Sequence, residues 1–526
     1  MSPRRTPEEQ GALDSFKKVP TIGWVVAGVV ALLIVAGVVV LLASGSSSSG
    51  GSVSFTGTGY PNVDTSNTRH VGGPIKSDTV SNLNVAWTVP LTAQSSFGAY
   101  AASPVVVNGV IYSQDLASNV QAINLESGDV LWTKSYETPD LGPNGVVVAK
   151  GRVYGATATE AFALDQETGE EVWSVTLTRN GSEGIDMAPG YHDGLVYVST
   201  VPTTSSATYE GEGVGILWAL DAKTGKKVWS FDTVPKSLWG NPSVNSGGGV
   251  WYTPAFDDKG SMYFGVGNPA PFPGTAQDPW GSSRPGPNLY TDSLVKLNAK
   301  TGKMEWYYQA TPHDVYDWDF QGPPILVTAG GQNLVIASGK SGIAVALDSA
   351  SGKVVWRKPV GTHNGHDEDG LLAMRGESSK IKTGTVYPGV LGGVIAAPST
   401  DGSTVFLPVV NQSQTVVSGS EAGGGGAPGG EIVALDVKTG AVEWKHDFPS
   451  PAFGSTTSVN DLVFATTFDG TLNAFDAKSG RIVWQTTLSA GTNTGVTASG
   501  DTVIAPAGLA SEGGTPQIAA YRLGGK

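Results

Sequence analysis

Cysteine is absent from all 526 residues. That excludes disulfides, thiolate metal sites, a lipidated-cysteine anchor and the C-x-x-C-H attachment of a c-type haem, so electrons passed on by this chain must leave through another carrier. Charge is sparse as well: Asp, Glu, Lys and Arg make up 15% of the residues, and 32 basic side chains against 46 acidic ones leave a net charge of -14. Without basic clusters to neutralise phosphates, nucleic acid is not an expected partner. A 40% hydrophobic content at this charge density also argues against a disordered chain. Long apolar runs are missing but for one, the uncharged stretch from Ile22 to Ala43. As a helix it would be roughly 33 Å long, enough to cross a bilayer.

Arg4, Arg5, Lys17 and Lys18 precede that run, which puts the N-terminus in the cytoplasm and the rest of the chain outside the cell membrane. A cleaved signal peptide competes, with LLASG as a small-residue site, but the run is long for a signal core. The expected organisation is a cytoplasmic segment at 1–20, a single-pass anchor at 21–43, a flexible Ser/Gly linker at 44–55 and one large domain at 56–526.

Glycine, at 72 residues, and tryptophan, at 14, are where the sequence is rich. Seven times an apolar stretch is followed by Asp or Asn, then Ser/Thr-Gly, then Trp four residues after the Gly: the copies end at Trp132, Trp173, Trp229, Trp306, Trp356, Trp444 and Trp484. Each unit reads as a β-hairpin in which Gly supplies the positive φ and Trp packs on the neighbouring unit. Trp87 has the following strand without a turn before it, and PQIAAYRL near the C-terminus has the preceding strand without a Trp after it. Joined, they make an eighth repeat. The fold expected is all-β: an eight-bladed propeller in which the N-terminal strand completes the last blade and closes the ring.

Four segments depart from the repeat: GGGVWYTPAFD with Trp251, FGVGNPAPFPG with Asn268, YYQATPHDVYDWDFQGPP with His313, Asp314, Asp317 and Asp319, and IASGKSGIAVALD with Lys340. In this order, and with the repeats, they resemble the quinoprotein alcohol dehydrogenases, which use pyrroloquinoline quinone (PQQ). The repeats alone resemble equally the non-enzymatic envelope propellers that act as protein-binding scaffolds. The dehydrogenase resemblance implies PQQ stacked on Trp251, Lys340 donating to the quinone oxygens and Asp317 as general base on the alcohol. It also implies Asn268, Asp317, Asp319 and, by its offset from Asp221, Glu210 around a metal ion. Oxygen donors suit a hard cation such as calcium; an Asp at the second place, Asp319, resembles the lanthanide-using methanol dehydrogenases and also the glucose dehydrogenases of the family, which use divalent ions. The substrate implied is an alcohol, polyol or sugar, with a cytochrome or membrane quinone as external electron acceptor. The residue types suit that chemistry: oxygen donors bind a hard cation, a carboxylate removes a hydroxyl proton, and an ammonium polarises a carbonyl. Asp317 and Asp319, two apart on an extended segment, are expected to project to one side.

Two further stretches read as loops. GTHNGHDEDG, with His363, His366, Asp367, Glu368 and Asp369, has metal-site residue types but reads as a solvated insertion, and Ser418 to Glu431 as a mobile glycine loop. Asp314 reads as a loop-shaping residue that accepts backbone N–H groups.

Overall fold

The structure, a computed structural model, describes residues 59–203, 210–211, 213–426, 428–510 and 514–525. The expected anchor at 21–43 and linker at 44–55 lie outside the described residues, among which no helix is long and apolar enough to cross a membrane. The fold is an all-β propeller. Among the described residues, eight sheets share a four-stranded antiparallel order, one of them extended by a fifth strand. One is built from Val105–Val107, Val110–Gln114, Val120–Asn124 and Val130–Lys134. Leu83–Pro90 pairs antiparallel with Gln517–Leu523, with Trp87 opposite Ala520, so the two ends of the domain share one sheet as the split repeat requires.

The turn of each repeat is fixed by its own side chains. Asp165 Oδ1 accepts the main-chain N–H groups of Glu167 and Thr168, and Gly169 follows at a φ of 73°. An Asp or Asn side chain stabilises such a turn locally, and glycine enters the left-handed region without steric cost. A bulge then precedes each Trp: Trp173 faces Ala163 and Glu171 faces Leu164, leaving Val172 as an extra residue turned to solvent.

Neighbouring sheets are joined through the Trp residues. In seven of the eight repeats the indole N–H donates to a main-chain carbonyl of the next sheet's turn, at 2.8–3.3 Å. The same ring lies over the turn glycine: a Cβ built on Gly352 would sit 2.8 Å from Trp306 Cδ2, and one on Gly440 2.7 Å from Trp356 Cδ2. Glycine is therefore needed twice at this position, for its φ and for the space above it.

A feature not anticipated from the repeats is the path of residues 59–71. Gly59 pairs with Val148, Tyr60 donates to Tyr191 O, and the carbonyls of Thr65, Ser66, Thr68 and Arg69 accept from Phe256, Leu326, Thr400 and Ser458 in turn. This segment visits six successive sheets in chain order. It is centred on the fully buried Arg69, whose guanidinium reaches Thr456 O, Pro61 O, Asn62, Ser103, Thr457 and Val496 O. Much of the glycine loop expected at 418–431 lies in strands. Gln414–Ser418 and Glu421–Gly424 form a hairpin, and Gly429–Asp436 is a full strand, because the alternating Val and Ile positions on either side extend the pairing into the glycines.

The glycine requirement predicts an asymmetry. Gly352→Ala should cost about 3 kcal/mol, from the left-handed φ and the displaced Trp306 together. Gly331→Ala, at a φ of 81° with nothing within 4 Å of the new methyl, should cost only about 1 kcal/mol. Urea midpoints of the two variants would decide the matter, and equal losses would show that the Trp contact contributes nothing.

Candidate active site

The non-repeating segments converge on one place. Lys340 Nζ lies 3.0 Å from Asp317 Oδ2 and 2.5 Å from Asp319 Oδ2, and the main-chain N–H of Lys340 donates to Asp319 O at 2.8 Å. Asp319 Oδ1 accepts the main-chain N–H of Asn268 at 2.7 Å. Gly267, the residue before Asn268, is the close-approach point: a Cβ there would lie 3.0 Å from Trp251 Nε1 and closer still to Asp319 Oδ1. Trp251, Asn268, Asp317, Asp319 and Lys340 thus come together. Glu210 is exposed. A buried acid of that part of the chain is Glu183, 3% exposed and gripped by Arg179, which spacing from the repeat did not single out.

Asp317 and Asp319 converge, but not by strand alternation. Residues 311–319 form no strand, and Asp317 has a φ of 63°, in the left-handed region that few non-glycine residues occupy. Several contacts hold that conformation. The two oxygens of Asp314 accept the N–H groups of Tyr316 and Trp318 at 2.8 and 2.7 Å, the loop-shaping role read from the sequence. The Trp318 indole donates to Pro388 O and Gln414 donates to Tyr316 O. Tyr316 Oη donates to Asp369 Oδ2 at 2.6 Å, and the same oxygen lies 2.6 Å from His366 Nδ1. The insertion read as solvated is therefore in part a buried brace: His366 and Asp369 are packed behind the Asp317 turn, and Asp369–Met374 is a short helix. The residue types looked polar and loop-like because their hydrogen bonds are satisfied by a distant segment.

The electrostatics are lopsided. Asp292, Asp314, Asp317 and Asp319 are close enough to influence one another, against two buried cations, Lys340 and Arg284. Burial pushes Asp317 well above the usual carboxylate range, with Lys340 pulling it back and Asp319 adding to the rise. Burial alone would lower Lys340, but Asp317 and Asp319 outweigh it and keep the ammonium charged. Burial also raises Asp292, and neither of its oxygens has a hydrogen-bond partner. The group carries more negative charge than its own cations balance, which protons or a bound cation would relieve. Among the described residues no three His, Cys, Asp or Glu side chains are placed as metal ligands, so a cation here would need amide, main-chain or water oxygens as well. Asn268 fits that need, because its Nδ2 donates to Pro269 O at 3.1 Å and its Oδ1 remains an acceptor.

His313, beside this group, supplies a pH prediction. Burial first and Arg284 second push it down from 6.5 to about 4, although its two ring nitrogens face the carbonyls of Gly286 and Trp280. The unfolded chain takes up this proton near 6.5 and the folded one only near 4, so stability is lost as pH falls through that window. Wild type should lose up to about 3 kcal/mol more than His313→Phe between pH 7 and 4. Urea titrations at several pH values measure the difference, and parallel curves would contradict it.

Two family models match the chain, one described as the glucose/ethanol/alcohol dehydrogenase β-propeller domain over residues 179–363, the other as outer membrane protein assembly factor BamB over 382–515. The quinohemoprotein alcohol dehydrogenase of Comamonas testosteroni is 29% identical, over 84% of this chain and 70% of its own length. Its crystal structure superposes with a TM-score of 0.75 at 25% identity, over 89% of this chain and 81% of that one. The quinoprotein alcohol dehydrogenase PedH of Pseudomonas putida is 27% identical, over 77% of each chain. A europium-containing methanol dehydrogenase shares the fold, with a TM-score of 0.72 at 19% identity, over 88% of this chain and 97% of that one. Over most of its length the chain is therefore similar to the β-propellers of the PQQ-dependent alcohol dehydrogenases.

Proposed function

We propose that the chain is a membrane-anchored, extracytoplasmic, eight-bladed quinoprotein dehydrogenase that binds PQQ and a metal ion and oxidises an alcohol, polyol or sugar. The observation that carries this reading is Lys340 held between Asp317 and Asp319 beside Gly267, the point where Trp251 and Asn268 also approach. The arrangement suits the cofactor. Glycines at 249 and 267 leave the indole edge of Trp251 open, where a Cβ at either would lie 3.2 or 3.0 Å from Nε1.

When bound, the quinone would supply a two-electron acceptor and the cation would polarise it. The chain's own residues supply the rest. Asp317 takes the hydroxyl proton, and burial suits it to the task by raising its proton affinity. Lys340 fixes Asp317; with the cofactor bound, its ammonium would donate to a quinone oxygen and the Trp251 face would hold the flat ring. Asp319, Asp317 and the amide oxygen of Asn268 offer oxygen donors to calcium or, as the alternative, a lanthanide, with Glu210 or the buried Glu183 as a further carboxylate. Without cysteine for a covalent haem, electrons pass to a separate cytochrome or membrane quinone. A second reading, a scaffold propeller for another envelope protein, has the assembly-factor match at 382–515 in its favour, but that segment holds none of the proposed site residues.

Reconstitution with PQQ plus calcium or, separately, a light lanthanide should give cofactor retention and dye reduction with an alcohol. Asp317→Ala should retain the cofactor and lose turnover by at least about 100-fold. Folded protein that retains no PQQ with either ion would reject the enzyme and leave the scaffold.

A further inference from the structure

One connection of the chain reaches both sides of the Lys340–Asp317 pair. It runs from Val354–Pro359, the last strand of one sheet, to Ser399–Thr400, the first of another. At its start the Val360 N–H donates to Gly342 O at 2.8 Å, and near its end the Val394 N–H donates to Gly339 O at 3.0 Å. Gly339 and Gly342 close the turn that carries Lys340, through a hydrogen bond of 3.0 Å between them. A Cβ on Gly393 would collide with Lys340 O, so the connection lies flush against that turn. Its middle reaches the other side. A Cβ on Gly370 would collide with His313 O, the neighbouring Asp369 accepts the Tyr316 hydroxyl on the oxygen that also faces His366, and Pro388 O accepts the Trp318 indole N–H. Tyr316, Asp369 and His366 are 1%, 5% and 8% exposed, so little water competes for these bonds.

Asp317 needs such a hold more than its neighbours do. Asp319 is fixed directly: its Oδ1 accepts the Asn268 N–H and its carbonyl accepts the Lys340 N–H. Among the described residues the Asp317 carboxylate has Lys340 Nζ as its only hydrogen-bond partner. Its φ of 63° is one that a non-glycine residue keeps only where its surroundings impose it. The ties from Asp314 and Gln414 to residue 316 end on its main-chain N–H and C=O, which nearly any residue there would offer. The hydroxyl bond to Asp369 is the one that depends on the side chain at 316.

We propose that Tyr316 and Asp369 are positioning residues for the general base: the connection 360–398 clamps the turns of Asp317 and Lys340 at one separation, and the Tyr316–Asp369 hydrogen bond is the link that sets Asp317. The assignment rests on the reading of Asp317 as the base. Neither positioning residue touches substrate or cofactor. They hold the carboxylate where it can take the hydroxyl proton, a placement for which an error of about 1 Å can cost about 100-fold in rate.

Tyr316→Phe removes one oxygen and keeps the ring. In the full-length protein loaded with PQQ and metal, it should lower kcat about tenfold and leave KM and cofactor retention within about twofold. Asp369→Ala should do the same, and the double variant should lose no more than either single one, because both break one link. Asp369→Asn, which keeps an oxygen able to accept the hydroxyl, should stay near wild type. The unloaded protein gives a readout that needs no turnover: in crystals of Tyr316→Phe, Asp317 should leave the left-handed region and Lys340 should pair with Asp319 alone. Losses that add in the double variant, Asp369→Asn as damaging as Asp369→Ala, or an Asp317 that keeps its φ and its 3.0 Å contact to Lys340 in Tyr316→Phe would each overturn the clamp. Wild type that retains PQQ but oxidises no alcohol would reject Asp317 as base, and the crystals of the unloaded variant would still decide whether Tyr316 and Asp369 set its place.

Discussion

Everything else in this molecule rests on one contact, the indole of seven of the eight repeats lying over the turn glycine of the next. It is a packing interaction and a polar one at once: the ring covers the backbone where no side chain stands, and its N–H satisfies a carbonyl of the same turn. Each repeat thereby completes its neighbour, so stability is shared around the ring rather than held in any single sheet. The closing sheet follows the same rule from the other end of the chain: Trp87, supplied by the N-terminal strand, covers Gly128 in the following sheet. Residues 59–71 add a second, independent closure by bonding to six sheets in order, with Arg69 buying specificity through six acceptors where a hydrophobic plug would have offered none.

A scaffold closed in this way can carry strain and charge excess at one place. Asp317 sits in the left-handed region, and four carboxyl groups are gathered near two cations. Either feature alone would be costly for an isolated loop. Here the Asp317 turn is tied down by Asp314 from within and by Asp369, Pro388 and Gln414 from without. The ammonium of Lys340 then has fixed partners, and positioning a base and a donor in a dry environment is what makes such groups effective in catalysis.

The propeller was legible because its signal is repetitive. Gly and Trp recur at a fixed offset, and each copy carries the same steric and hydrogen-bonding demand. The members of the central site were legible one by one, through Asn268 in N-P-A-P and Asp317 and Asp319 in Y-D-W-D, since these segments break the repeat. Their geometry was not. Alternation on an extended strand would have brought Asp317 and Asp319 together for the wrong reason, whereas the convergence comes from a left-handed residue held by side chains up to about a hundred positions away in sequence. The brace made by His366 and Asp369 was invisible for the same reason: polarity in a sequence window reports which groups need partners and says nothing of whether water or Tyr316 provides them.

The same distinction explains why the glycine-rich stretch at 418–431 was read too simply and why the path of residues 59–71 was not anticipated. Local composition sets what a backbone can do, and glycine permits a loop; pairing with a neighbour already in place decides what it does. Gly429 and Gly430 stand opposite Asn411 and Val410 in the ladder because the Val- and Ile-rich strands around them are registered by the Trp444 repeat. Residues 59–71 carry little periodicity, yet their carbonyls find successive N–H groups because the first strand of each sheet they meet stands at the end of its sheet with an edge free to pair. Repetition therefore does more than define the fold. It creates a regular inner lining on which irregular segments, including those that bear the site, can be placed with the precision that their own sequence does not encode.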